Sequence, residues 1–228
     1  MGRFLRPGWL ALYAALALVG TWQLAPRVLR RLEFFRVRRV EVVGLHYLGV
    51  DDVIRALGLP RQASVFDPME GVARRARAIP GVQTAEVSRR PPGTLRVTIT
   101  EVPPVALVPG RDGMVAMDEG GRPLPFDPSV TAPDLPLTAR PDSLVGRLLG
   151  RVRAADPELF AQVGTAARAG TDVVLEVRGR RLWFRPDAPL EAIRAVTAVA
   201  HDLARRGKGW QELDGRWAGQ VIVRGGDA

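Results

Sequence analysis

Asp51 and Asp52 are the first residues along this chain whose type invites chemistry, because paired carboxylates are common equipment for general acid–base work. They are adjacent, however, and neighbours on a helix point in different directions, while acids in a first helical turn already complement the helix dipole. His46 and His201 are the only histidines and stand far apart, without the spacing of a metal site. Gly207-Lys208-Gly209 lacks the spacing of a phosphate loop and follows a helical pattern, so it reads as a helix stop. Cysteine is absent, which excludes disulfides, thiol catalysis and thiolate metal sites. No constellation gives each of its members a catalytic role, so neither an enzyme, nor a cofactor, nor a small-molecule substrate is expected. Recognition remains. Arg216 and Trp217 stand just ahead of the strand-like run Val221, Ile222, Val223 and Arg224. At a sheet edge, such a strand offers unpaired N–H and C=O groups to a partner strand, with an arginine and an aromatic as anchors. In the interior of a sheet, Trp217 would pack internally instead, and these residues alone leave the two readings level.

The 228 residues allow an anchor and two small domains, and 46% hydrophobic with 25% charged residues is the composition of folded, not disordered, chain. The net charge of +9 is carried almost wholly by arginine, with Lys208 the sole lysine. Its pairs, among them Arg38–Arg39, Arg74–Arg75, Arg89–Arg90 and Arg205–Arg206, are scattered along the chain, and no nucleic-acid surface with interleaved aromatics is expected from them.

Between Arg6 and Arg27 lie twenty uncharged residues, Pro7 to Pro26. At about 1.5 Å per helical residue they would span roughly 30 Å, the thickness of a hydrocarbon core. Trp9 and Trp22 stand near the two ends, where an aromatic belt belongs. The run is long for a cleavable signal peptide and no small-residue cleavage site follows it. Residues 1–6 are therefore expected to be a short cytoplasmic tail, 7–26 a transmembrane helix and 27–35 a juxtamembrane linker. Orientation read from the flanks alone points the other way. Arg3 and Arg6 precede the span while Arg27, Arg30, Arg31, Arg36, Arg38 and Arg39 follow it, which would place the large domain inside.

From 36 to 103 the pattern predicts strand, helix, helix, strand, strand. Val40 and Val42 alternate up to Gly44; Val50, Val53, Ile54 and Leu57 repeat at helical spacing ahead of Gly58. A second helix is expected to open at Asp67-Pro68-Met69-Glu70, with Asp67 as its cap and Met69, Val72, Ala73 and Ala76 buried. Ala85 and Val87, then Leu95, Val97 and Ile99, alternate on either side of the Pro91-Pro92-Gly93 turn.

From 104 to 225 a second domain is expected. Val105–Val108 reads as a strand, and Met114–Met117 as one arm of a hairpin with Leu124–Phe126. Residues 123 to 141 read as a proline-rich loop against the sheet, and 144 to 152 as a helix. Val173–Val177 and Leu182–Phe184 read as strands joined at Arg178-Gly179-Arg180. A long helix over 189–206, with Leu190, Ile193, Val196, Thr197, Ala200 and Leu203 buried, precedes the closing strand.

Phe35 to Gly44, Ile79-Pro80-Gly81-Val82, and Pro92 to Glu101 continued by Val102-Pro103-Pro104-Val105-Ala106 together resemble a POTRA domain, in the wording of the FtsQ/DivIB cell-division family. The ending is similar too: Asp214, Arg216 and Trp217 stand on that family's Asp, Arg and aromatic positions, with Gly215 departing from the usual apolar residue between them. The resemblance implies an α+β protein with a single N-terminal transmembrane helix, a POTRA domain (β-α-α-β-β), and a second α+β domain with a mainly antiparallel sheet. It also implies a non-catalytic divisome protein with its N-terminus cytoplasmic and its main domain extracytoplasmic. Such a protein is enriched at the septum and bound to FtsB/FtsL-like small coiled-coil proteins and other divisome membrane proteins. The expected contact residues are Asp214, Arg216, Trp217, Val221, Ile222, Val223 and Arg224. A POTRA-bearing factor for envelope-protein assembly or export, and a membrane-tethered nucleic-acid binder, are the alternatives.

Overall fold

The computed structural model describes residues 32–111, 113–126 and 134–225. The expected transmembrane helix lies outside these, and among them no helix is long and apolar enough to cross a membrane. The described residues form two compact units, one within 32–45 and 49–101, the other within 46–48 and 102–225.

In the first unit, β1 (Arg39–Val43) leads to α1 (Val50–Leu57) and α2 (Glu70–Arg77), then to the hairpin of β2 (Val82–Arg90) and β3 (Thr94–Glu101). This is the β-α-α-β-β order that the periodicity predicts. β3 is central: β1 runs parallel to it over Arg39↔Thr94 to Val43↔Thr98, and β2 antiparallel to it. Because side chains alternate along a strand, Leu95, Val97 and Ile99 all fall on one face, where each is essentially fully buried. Val53, Leu57, Val72, Ala73 and Ala76 of the helices complete this core. Gly44 ends β1 at a φ of +90°, and a side chain there would strike the Ile99 carbonyl oxygen, so both backbone and space demand glycine. The expected cap on α2 is not formed. Asp67 instead accepts from the Ser64 N–H at 2.7 Å and so folds the loop ahead of the helix, while Glu70 pairs with Arg77 at 3.4 Å along the helix itself. Arg75 donates from Nε to the Leu57 carbonyl at 2.6 Å, tying α2 to the end of α1.

The second unit opens with β4 (Ala106–Pro109) and β5 (Met114–Met117), which pair antiparallel with each other. The expected hairpin forms on the other side of β5 but is brief: Met117 bridges Pro123 antiparallel, the Asp118 N–H bonds the Arg122 carbonyl at 2.9 Å and the Leu124 N–H the Ala116 carbonyl at 2.8 Å. Then come α3 (Ser143–Ala155), α4 (Pro157–Gln162), β6 (Val163–Ala169), β7 (Asp172–Val177), β8 (Arg180–Phe184), α5 (Leu190–Arg205), β9 (Glu212–Asp214) and β10 (Ile222–Arg224). Strand order is β10-β9-β8-β7-β6, antiparallel except for the β8–β9 pair. Arg178 and Gly179 both have positive φ, 52° and 76°, the mirror-image turn whose twist suits a two-residue hairpin.

The proline-rich passage does more than lie against the sheet. Leu137 pairs as a single residue with Leu107 of β4 on one side and with Thr165 of β6 on the other. Its N–H bonds the Gly164 carbonyl at 2.9 Å, so one residue stitches the β4–β5 pair to the five-stranded sheet. α3 and α5 pack on each other over one sheet face, burying Val145, Leu148, Leu149, Ile193 and Val196 against Leu175, Leu182, Phe184 and Leu213. The Asp142 carboxylate caps α3 by accepting from the N–H groups of Leu144 and Val145. Only Ile193 and Val196 of the six residues expected inside α5 are fully buried. The other four are half-covered, and two of them, Thr197 and Ala200, line an open cleft beside the helix.

Candidate functional site

β10 is three residues long, and no other strand pairs with its outer side among the described residues. The last strand is therefore an edge strand. Its three side chains are all exposed, Ile222 by 38% and Val223 by 41%, which is unusual for two β-branched apolar residues on one short strand.

The seven residues expected to meet a partner divide by position. Trp217 is 57% exposed, at the head of a turn closed by the Gln220 N–H on the Trp217 carbonyl at 3.2 Å. It borders a cleft of about 680 Å³ whose other walls include Pro189, Ala192, Ala195 and Val199 of α5 and its approach, and Val221 from below β10. Val221 is half-buried and packs on the main core. Asp214, by contrast, has no accessible surface. This corrects its expected place among the contact residues: a carboxylate at the end of β9 that is wholly covered acts through what it holds.

What it holds is Arg216. The Arg216 guanidinium donates from Nε to Asp214 Oδ1 at 2.8 Å and from Nη2 to Oδ2 at 2.7 Å, a two-pronged fit, and from Nη1 to Asp172 Oδ2 at 2.8 Å. Its flat face lies over the Trp183 ring, 5.1 Å from the ring centre. Arg216 thereby ties the end of β9 to the starts of β7 and the middle of β8. Arg224 reaches back from β10 to Asp214 at 3.4 Å and Glu212 at 3.8 Å, latching the edge strand to its neighbour. Asp172 and Trp183 were not expected here. Nothing in their spacing signals them, since they come from strands distant in sequence and meet only through Arg216.

Gly215 departs from the family pattern for a reason visible in the packing. A Cβ there would come within 2.5 Å of Val196 Cγ2 and 3.3 Å of Phe184 Cε1, so α5 and β8 already occupy the space an apolar residue would fill. Gly215→Ala is expected to cost about 1–2 kcal/mol through overpacking. Urea unfolding reads this directly, and an unchanged midpoint would mean that Val196 yields without cost.

The hydrogen bonds from Arg216 hold the Asp214 carboxyl below its usual range, against the opposing effect of burial, and Asp214 in turn holds Arg216 above its own. A carboxyl depressed in the folded state adds stability that is complete above its unfolded value of about 3.9 and is lost as pH falls through the lower folded value. Asp214→Asn should therefore melt below the wild type by a constant margin at neutral pH, and the margin should narrow only below about pH 4. Thermal melts from pH 7 to pH 2 test this, and a margin independent of pH would contradict it.

Among the described residues, no group of three or more His, Asp or Glu is arranged to hold a metal. Asp51 and Asp52 sit in the first turn of α1, where Asp52 pairs with Arg55, and His201 lies exposed on α5. The geometry combines a short exposed edge strand, an exposed tryptophan beside an apolar cleft, and an ion-paired network beneath them.

Residues 35–101 match the family described as POTRA domain, FtsQ-type. The chain is 36% identical over 96 residues to a Cell division protein FtsQ of Rhodothermus marinus, covering 42% of this chain and 32% of that one. It is 32% identical over 135 residues to a Cell division protein FtsQ of Mycobacteroides abscessus, covering 58% and 44%. The matched stretches thus span less than half the length of these curated relatives.

Proposed function

We propose that this chain, which belongs to the FtsQ/DivIB family of cell-division proteins, is a non-catalytic, membrane-anchored bridge of the bacterial divisome that takes a partner strand along β10. The observation that carries the reading is the edge position of β10 with all three side chains exposed. An added strand would satisfy the outer N–H and C=O groups of 222–224, its side chains would alternate over Ile222 and Val223, and an apolar residue would enter the cleft beside Trp217. Main-chain pairing supplies affinity there and the tryptophan supplies an anchor. The proposed partners are FtsB/FtsL-like small coiled-coil proteins, with other divisome membrane proteins as further contacts. Residues 7–26 form the proposed single span, with the N-terminus cytoplasmic, both units extracytoplasmic and the protein concentrated at the septum.

Two readouts test this. A photo-crosslinking residue at Val223 in dividing cells should yield an adduct with a small coiled-coil division protein, whereas the same residue at Ser88 of β2 should not. Adducts only at Ser88 would sink the docking reading. A fluorescent protein that matures only in the cytoplasm, fused to Met1, should give a bright midcell band. Uniform membrane fluorescence would favour the assembly-factor alternative, and a dark but stable fusion would reverse the orientation.

A further inference from the structure

Arginine pairs that are scattered along the sequence meet in space at one end of the first unit. The register Arg39↔Thr94↔Arg90 sets Arg39 of β1 and Arg90 of β2 on the same level of the sheet and on the same face, the one opposite the helices. Arg38 and Arg39 both donate their backbone N–H to the Gly93 carbonyl, at 2.8 and 3.2 Å, which fixes the start of β1 beside the β2–β3 turn. Arg36, Arg38, Arg39 and Arg90 are all exposed. Just before them, the 3₁₀ turn Glu33–Phe35 presents Phe34, 59% exposed, beside Leu32, 46% exposed. The acid at this end, Glu33, pairs with Arg36 at 2.9 Å.

The turn is built into the domain. Phe35 stands edge-on to Phe66 with ring centres 4.9 Å apart, and its carbonyl accepts from the Val65 N–H at 3.0 Å and the Ser64 hydroxyl at 3.3 Å. Val37 donates to the Ala63 carbonyl at 2.8 Å. The aromatic edge of Phe34 against Phe35, 5.1 Å between centres, is therefore held outward by a bonded turn. This is also the end where the chain arrives from its apolar run: the six peptide steps from Pro26 to Leu32 reach at most about 20 Å.

We propose that this end of the first unit is a lipid-facing surface, on which Phe34 and Leu32 enter the interfacial layer of the bilayer while Arg36, Arg38, Arg39 and Arg90 bind the phosphates of anionic headgroups. The inference rests on residues 7–26 spanning the membrane. Arginine suits the role because its planar fork binds phosphate with two donors, and an aromatic ring favours the headgroup level. Basic residues near an anionic leaflet gain attraction that fades within a Debye length, so the short reach from Pro26 matters.

The chain has no cysteine, so single cysteines can carry an environment-sensitive fluorophore without background. The full chain is placed in bilayer discs containing phosphatidylglycerol and a lipid bearing a nitroxide near its headgroup, labelled at Phe34→Cys, Val19→Cys or Gln83→Cys. Gln83 is exposed at the opposite end of the sheet, beside the Val82↔Glu101 pair. The expected result is at least twofold stronger quenching at position 34 than at 83, weakened when phosphatidylcholine replaces phosphatidylglycerol. Equal quenching at 34 and 83, with the label at 19 inside the bilayer, overturns the lipid surface and leaves the anchor standing. A label at 19 that stays in water overturns both.

Discussion

Arg216→Ala should destabilise the second unit by about 3 kcal/mol, the range measured when one member of a buried ion pair is removed. The size follows from what is left behind. Asp214 has no accessible surface, and without the Arg216 side chain its carboxylate keeps only the backbone N–H of residue 216 at 3.2 Å and the contact to Arg224 at 3.4 Å. Asp172 loses its partner as well, and the Trp183 ring loses the cation above it. Arg216→Lys should restore less than half of the loss, because a single ammonium cannot span Oδ1 and Oδ2 of Asp214 while also reaching Asp172. Removing the trapped charge together with its partner should cost less than the sum of the two changes, so Arg216→Ala combined with Asp214→Ala is expected to be sub-additive. Chemical denaturation of the four proteins completes the cycle, and strict additivity would mean that the two side chains do not depend on each other.

Trp217→Ala should leave the melting temperature within about a degree and weaken binding of an FtsB-like segment by about thirtyfold, the effect of losing roughly 2 kcal/mol at an interface anchor. A side chain 57% exposed contributes little to the fold, so its loss can be read as a binding effect. Titration calorimetry with the purified full chain in detergent gives both numbers. Unchanged affinity, or an interface mapped away from 217–224, would remove the docking reading while leaving the fold untouched. The contrast between the two substitutions is itself informative: neighbouring residues, one acting from beneath the surface and one upon it.

The first unit was legible almost throughout because its signals are local. Alternation at Leu95, Val97 and Ile99, helical spacing at Val53 and Leu57, and Gly44 as a stop are each set by a few adjacent residues. Where a polar side chain has several possible partners, sequence spacing misleads: Asp67 matches a helix cap yet bonds Ser64 instead. The second unit hid β6, whose Gly164-Thr165-Ala166-Ala167 carries little β-branched bulk, and Leu137, whose pairing depends on two strands from elsewhere in the chain. Around β10, the exposed strand and Trp217 were visible as residue types. The burial of Asp214, and its link to Asp172 and Trp183, came only from the fold, since neither the sheet order nor the parallel β8–β9 pairing is written in any local pattern.

The parallel pairing of β1 with β3 sets how the first unit bears mechanical load. The chain comes in at the Arg39 end of β1 and leaves at Glu101, the opposite end of β3. A pull between those two points runs along the strands and shears all five registered pairs, Arg39↔Thr94 to Val43↔Thr98, at once, where a hairpin pulled at its open end would unzip one pair at a time. Forced opening is governed by the unfolding rate and not by equilibrium stability. The β1–β3 pairing is thus wired to resist tension applied between the two ends of this unit.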